Sequence, residues 1–360
     1  MRFPEFEDEW VEKKLGDSCK MQAGKFVSAS EINDLSKEGL FPCYGGNGLR
    51  GYTESFTQDG RYSLIGRQGA LCGNVTLVDG KFHATEHAIV VTPNKGMDTT
   101  WMFYLLTRLN LNQHATGMAQ PGLSVQNLEK VETIISNTIE EQQKMASFLS
   151  LIDERIRTQR KIIDYLETAF KALRDQIFTQ KLRFKNAYGS VFSDWQAKRL
   201  GDICQKSSSN ISANTIEENF GDYIIYGASG PLKRIDFYNE ASEYISIVKD
   251  GAGVGRLFFC EGKSSVLSTM DIIKPKTGVN TYFLLHLLLG IDFKKYTTGS
   301  TIPHIYFRDY QHESCTIPSI DEQSLIAQFL YEFDKKIQVE KDLISLYQSQ
   351  KKSLLSGLFI

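Results

Sequence analysis

At 360 residues the chain is long enough for two domains with separate cores, and 41% hydrophobic against 23% charged residues excludes bulk disorder. A formal net charge of −2 argues against a protein that coats nucleic acid without specificity, but not against one that reads a short site through local clusters. Six dispersed cysteines (Cys19, Cys43, Cys72, Cys204, Cys260, Cys315) without a C-x-x-C exclude a disulfide framework and a zinc scaffold and predict reduced, mostly buried thiols.

In chain order, the acidic start "MRFPEFEDEWVEKKLGD" has no apolar core, so no secretory signal is predicted. The glycine-rich "YGGNGLRG" (Tyr44 to Gly51) follows. "RYSLIGRQGALCGNVTLV" (Arg61 to Val78) predicts strand–turn–strand, and "TTWMFYLLTRLN" (Thr99 to Asn110) a short helix. A long helix starts near Ile139. The second half offers "EYISIVKDGAGVGRLFFC" (Glu243 to Cys260) and "NTYFLLHLLLG" (Asn280 to Gly290) in the same order. The longest apolar run, Tyr282 to Ile291, is too short to span a bilayer and contains His286, so a soluble cytoplasmic protein without a membrane partner is expected.

The two halves are copies. Trp10, Leu15, Gly16, Asp17 and Cys19 return as Trp195, Leu200, Gly201, Asp202 and Cys204. Tyr44, Gly45 and Gly48 return as Tyr226, Gly227 and Gly230. "IGRQGALCG" (from Ile65) matches "IVKDGAGVG" (from Ile247), and "TGMAQPGL" (from Thr116) matches "TGSTIPHI" (from Thr298). "IEEQQKMASFLSLIDERI" (from Ile139) matches "IDEQSLIAQFLYEFDKKI" (from Ile320). A nearly constant offset over most of the chain identifies a tandem duplication.

Each copy ends in a heptad seam. Leu149, Ile152, Ile156, Gln159, Ile163, Leu166, Phe170, Leu173 and Ile177 alternate at three and four residues. Leu330, Phe333, Ile337, Glu340, Ile344, Tyr347, Lys351, Leu354 and Leu358 do the same. The polar residues Gln159 and Glu340 occupy equivalent seam positions, as a register-setting device would. The two seams are expected to pair antiparallel, with a domain at either end of a rod. The expected fold class is α+β, with boundaries at 1–136 (first globular domain), 137–182 (first helix), 183–317 (second globular domain) and 318–360 (second helix).

Chemical motifs fare poorly. Gly46-x-Gly48-x-x-Gly51 matches a dinucleotide fingerprint, but a weak strand precedes it and no helical stripe follows. The copy "YGASGPLKRI" keeps two of the three glycines, which makes the third incidental. No phosphate-loop lysine and no nucleophile elbow occurs. "HATEH" carries His83, Glu86 and His87, but the copy lacks all three, so solvated or DNA-facing residues are expected there rather than metal ligands. No catalytic residue and no metal site is assigned.

What remains is a polar and basic set at the glycine turns. In the first domain it comprises Tyr44, Asn47, Arg50, Arg67, Gln68, Thr116 and Gln120. In the second it comprises Tyr226, Ser229, Lys233, Arg234, Lys249, Thr298, Ser300 and His304. Arg, Lys, Asn and Gln read base edges, while hydroxyls and backbone amides hold phosphates. Arg50 is matched with Lys233 or Arg234. The copies keep the frame and vary the residues between, as two readers of different sequences would.

The ordered set Trp-x₄-Leu-Gly-Asp, Tyr-Gly-x-x-Gly, basic-x-Gly-Ala, Thr-Gly-x-x-x-Pro and "EEQQKMASFLSLID", present twice, with "LYQSQKKSLLSGLF" (Leu346 to Phe359) at the end, resembles the specificity (S) subunit of type I restriction–modification systems. The resemblance covers essentially the whole chain. It implies two target-recognition domains that read a split site on double-stranded DNA, joined by antiparallel helices that dock two methylation (M) subunits. Restriction (R) subunits would join through the complex. It further implies that S-adenosylmethionine, ATP and Mg act on the partner subunits and that this chain binds no cofactor and makes no bonds. The rival readings are a dinucleotide-dependent enzyme using Gly46 to Gly51 and a coiled-coil scaffold that does not bind DNA.

Overall fold

The computed structural model describes residues 2–69, 71–117, 121–216 and 221–359. By contacts the chain divides into two compact units, Met1–Lys161 with Asp342–Ile360, and Ile162–Lys341. The cuts fall inside the two long helices. Each helix starts in one unit and finishes in the other.

In the first unit β1 (Val11–Lys14), α1 (Leu15–Ser18), β2 (Cys19–Ala23), β3 (Phe41–Gly45), β4 (Gly48–Thr53), β5 (Gln58–Asp59), β6 (Tyr62–Gly66), β7 (Val75–Val78), β8 (Lys81–Ala84), β9 (Ala88–Pro93), α2 (Thr99–Arg108), α3 (Val125–Glu129) and β10 (Glu132–Ile135) precede α4 (Ile139–Phe178). One antiparallel sheet has the order β2-β9-β6-β7. A second has the order β4-β3-β8-β5, with β3 and β8 parallel, and β1 pairs with β10. Ile65, Ile89 and Val91 enter a core with α2, while Leu64 and Val90 enter a second cluster with Phe82 and Ala84. Strands buried on both faces explain the unbroken apolar runs of the sequence.

The second unit repeats the plan with β11 (Gln196–Arg199), α5 (Leu200–Ile203), β12 (Cys204–Ser208), β13 (Tyr223–Gly227), β14 (Gly230–Ile235), β15 (Tyr244–Val248), β16 (Leu257–Cys260), β17 (Ser264–Val266), β18 (Met270–Pro275), α6 (Thr281–Leu288), α7 (Phe307–Tyr310), β19 (Ser314–Ile317) and α8 (Ile320–Leu358). Its sheets run β12-β18-β15-β16 and β14-β13-β17, with β11 paired to β19. The predicted strand–turn–strand pairs are β6–β7 and β15–β16, and the predicted short helices are α2 and α6.

The Glu-Gln pair that opens each long helix ties it to its domain. Gln142 accepts from the backbone of the α2 cap residue Asp98 at 2.8 Å and donates to the Ser136 carbonyl at 2.8 Å. Gln323 does the same with Asn280 (3.0 Å) and Pro318 (2.9 Å). The far end of each helix closes the other core: Phe359 packs with Trp10 and Trp101 in the first unit, Phe178 with Trp195 and Phe283 in the second. Burying one such ring contributes roughly 1.5–3 kcal/mol.

Some heptad positions meet the partner helix, while Leu149 and Leu358 join the first domain's core and Ile177 and Leu330 the second's. In the first unit α4 and the end of α8 run antiparallel, with Asp153 accepting from Lys351 at 2.5 Å and Arg155 donating to the Tyr347 hydroxyl at 3.5 Å. In the second, Phe170 stacks on Phe333 with centroids 5.2 Å apart, and Lys341 pairs with Glu167 at 2.6 Å. Leu149, Ile152, Ile156, Ile163, Leu166, Ile177, Leu330, Ile337 and Leu358 are buried, and Gln159 is buried among them at 6% exposure. The lysine that interrupts the second seam, Lys351, is accommodated because Asp153 receives its ammonium.

Candidate nucleic-acid interface

The glycine stretch Tyr44 to Gly51 folds as a hairpin. Gly45 pairs with Gly48 and leaves Gly46 and Asn47 at the tip. A strand, not a helix, follows the glycines, so no helix N-terminus is available to a pyrophosphate and the fingerprint spacing is hairpin chemistry. A Cβ on Gly66 would stand 2.2 Å from the Gly46 carbonyl oxygen. The bare backbone there lets the hairpin tip lie directly on the end of β6. The equivalent residue in the second unit is Val248, which is fully buried in a cluster with Tyr226 and Ala228.

Register corrects two sequence readings. Tyr44 pairs with Leu49 and Cys43 with Gly51, so Arg50 is the extra residue of a β-bulge. Tyr226 pairs with Pro231 and Ile225 with Lys233, so the residue in that place is Leu232. Arg50 therefore corresponds to Leu232, not to Lys233 or Arg234, and Lys233 stands where Gly51 does. Nor is Gly51 incidental. Its Cβ would fall 2.6 Å from the Asn33 carbonyl, because Asn33 and Tyr52 exchange backbone hydrogen bonds of 2.7 and 2.8 Å.

Three motifs far apart in sequence meet at each hairpin. The Arg67 amide donates to the His87 carbonyl at 2.8 Å, the Leu123 amide donates to the Arg67 carbonyl at 2.8 Å, and Thr116 and Gly122 exchange two bonds of 2.9 Å. In the second unit Lys249 donates to Thr269 at 3.0 Å, Ile305 donates to Lys249 at 3.0 Å, and Thr298 and His304 exchange bonds of 2.9 and 2.8 Å. Basic-x-Gly and Thr-Gly-x-x-x-Pro are thus two sides of one loop junction. Gly117 and Gly299, at φ of 98° and 91°, make its turn. In the first unit the junction walls an open cleft of about 450 Å³, lined by the hairpin tip with Arg50, Gln68, Gly69 and His87.

Asn47, Arg50, Gln68, Thr116, Ser229, Lys233, Arg234, Thr298 and Ser300 are exposed, and Arg67, Lys249 and His304 are half-buried at the same junctions. Gln120 lies outside the described residues. Tyr226 is a correction: at 6% exposure its ring belongs to the core with Val266 and Met270, so its side chain cannot meet a ligand. Tyr44, half-buried, packs edge-on to Phe82 and serves the frame in the same way. His83 is a second correction. It is buried at 4% exposure, with Nδ1 3.1 Å from the Ser55 hydroxyl and Nε2 3.1 Å from the Lys25 carbonyl, a packed histidine rather than a solvated one. Among the described residues no cluster of His, Cys, Asp and Glu has metal-binding geometry.

His87, expected from the sequence to be solvated or DNA-facing, is half-exposed in the cleft beside Glu86 at 3.2 Å, whereas the sequence reading missed Arg256, whose guanidinium donates to the Ala228 carbonyl at 3.0 Å and buttresses the second hairpin. It also missed the pairs Arg2–Glu141 and Arg183–Glu322. Their signal is present: Arg-Phe occurs at Arg2 and Arg183 with the same offset as the helix starts Ile139 and Ile320.

Comparison with known proteins bears on this junction. A family model described as the type I restriction modification DNA specificity domain matches residues 7–168 and 192–346. The EcoprrI type I restriction enzyme specificity subunit of Escherichia coli is 46% identical over 154 residues, 42% of this chain and 38% of that protein. The MjaVIII specificity subunit of Methanocaldococcus jannaschii is 26% identical over 51% of this chain and 46% of its own length, so the matches span less than half of either relative. A putative type I specificity subunit of Haemophilus influenzae is 22% identical over 89% of this chain and 87% of its own. The crystal structure of a type I restriction–modification S subunit from M. genitalium superposes with a TM-score of 0.74, covering 100% of this chain and 99% of that one at 18% identity, a likeness of fold.

Proposed function

The chain belongs to the type I restriction–modification DNA specificity family, and we propose that it is the DNA-reading subunit of such a system, each unit reading one half of a split site. The observation that carries this reading is the twofold loop junction. Both units hold the hairpin, the basic-x-Gly loop and the Thr-Gly loop by the same backbone bonds, yet present different side chains from them. A shared frame with exchanged surface residues is what recognition of two unlike half-sites requires.

In this reading the chain makes no bonds. Asn47, Arg50, Arg67, Gln68 and Thr116 face the first half-site, and Ser229, Lys233, Arg234, Lys249, Thr298, Ser300 and His304 the second. The paired helices set the gap between the halves, as the spacing of a dimeric reader does. At 40 residues α4 is about 60 Å long. Two methylation subunits dock on these helices and bring S-adenosylmethionine, and they flip the target base out of the duplex. Restriction subunits add ATP- and Mg-dependent chemistry.

Mapping methylated bases across the host genome with and without the chain tests the proposal. A split motif should vanish when the chain is removed. Exchanging residues 196–317 for those of a relative should alter one half of it only. An unchanged methylome would leave the scaffold reading standing, and saturable dinucleotide binding by the purified chain would revive the enzyme reading.

A further inference from the structure

The two copies treat one patch of the sheet in opposite ways. In the second unit Asp271 on β18 is 4% exposed, and its Oδ1 accepts from the Ser208 hydroxyl at 2.7 Å. Ser208 in turn accepts from the Lys206 ammonium at 2.7 Å. The Lys206 and Lys249 ammoniums lie 3.7 and 3.5 Å from the same carboxylate oxygen. Register places these groups on one face: Ser208 and Ile247 flank Asp271 on neighbouring strands, and Lys206 and Lys249 are each two residues along. In the first unit the corresponding strand positions hold Met21, Ala23 and Ile89, with Ala23 paired to Ile89 as Ser208 is to Asp271.

The duplication is therefore its own control. The same sheet closes over an apolar set in one unit, with Ile89 fully buried, so the fold does not need a carboxylate there. Burying one costs free energy unless it is paired and hydrogen-bonded. Two ammoniums on one carboxylate leave a net positive charge, and the lysine side chains are the more exposed partners, 32% for Lys206 and 24% for Lys249 against 6% for Asp271. Lys249 is also the cation of the basic-x-Gly loop. Its counterpart Arg67 is placed otherwise, its guanidinium 3.4 Å from the Glu86 carbonyl.

We propose that Asp271 is a positioning residue of the second reader, holding Lys206 and Lys249 as a two-lysine clamp for a DNA phosphate at the second half-site, a device the first reader lacks. This rests on the DNA-reading function above. Ser208 fixes the carboxylate from one side, and the carboxylate aims a long, flexible lysine that would otherwise sample many rotamers.

The test uses the full chain in its methylating complex, with binding to the split site measured across a salt series. Lys249→Ala should lower the slope of log affinity against log salt by about 1. Asp271→Asn removes a negative charge, so a merely screening carboxylate predicts tighter binding, whereas the clamp predicts binding weaker by about tenfold. Unchanged or tighter binding overturns the proposal. The triple change Lys206→Met, Ser208→Ala, Asp271→Ile installs the first unit's residues. It should leave thermal unfolding intact and impair methylation of the split motif; an unfolded triple variant, or one with normal methylation, also overturns it. Failure of the unaltered complex to recognise any split site would refute the DNA-reading function instead, so the two failures are distinguishable.

Discussion

Arg183 holds Glu322 at two points, Nε to Oε1 at 2.8 Å and Nη2 to Oε2 at 2.9 Å, and the same guanidinium donates to the Phe192 and Ser193 carbonyls. Arg2 and Glu141 repeat the arrangement at 2.7 and 3.0 Å. One arginine thus fixes the segment before each domain to the first turn of the helix after it, bridging 139 residues. Because Glu322 is fully buried, Arg183→Met should strand its carboxylate and cost the second unit about 2–3 kcal/mol, read as a lower denaturant midpoint. An unchanged midpoint would show the pair to be ornamental.

Acid should weaken the first unit through the twin pair. Burial pulls the Glu141 carboxyl upward, but hydrogen bonds from Arg2 and Ser136, the Arg2 charge and the Trp10 indole overcome it and hold the group below its ordinary 4.5. A carboxyl lowered by folding contributes stability that is complete above about pH 4.5 and fades as pH falls through the lowered value. Denaturation midpoints of the first unit should drop below that pH, and Arg2→Met should flatten the dependence. Equal acid sensitivity in both proteins would contradict the assignment.

Gly66→Val places the second unit's residue in the first. Its side chain would meet the Gly46 carbonyl, which stands 2.2 Å from an added Cβ, and must lift the hairpin that carries Asn47 and Arg50. Recognition of the first half-site should collapse while the second is still read. Loss of both halves together would mean that the substitution unfolds more than the hairpin.

The thiols should be inert while the chain is folded. Burial pushes Cys19 and Cys204 up to about 12, and Cys260 and Cys315 to about 11. At pH 8 the thiolate fraction is then on the order of 10⁻³ to 10⁻⁴. A thiol reagent should label all six cysteines only in denaturant, with the half-buried Cys315 first to react as denaturant rises. Rapid labelling of Cys19 or Cys204 in the native state would refute the burial.

The hairpin shows where local pattern stops informing. Tyr-Gly-x-x-Gly marks a turn because glycine alone tolerates the backbone at Gly48, with φ of 92°. It does not reveal that a bulge makes Arg50 the protruding residue, since a one-residue change of register moves every later side chain to the other face. Nor does it reveal why Gly51 must be glycine, because the segment at Asn33 that crowds it is specified elsewhere in the chain.

The duplication, the heptad spacing of both helices, the apolar strands and the family are legible along the chain, because they are repeats and periodicities. Packing in three dimensions makes Tyr226 and His83 buried rather than presented, seats the end of each helix in the other copy's core, and gathers Lys206 and Lys249 on Asp271. Those facts depend on which strands become neighbours, and burial and charge pairing are set across that neighbourhood, not along the sequence.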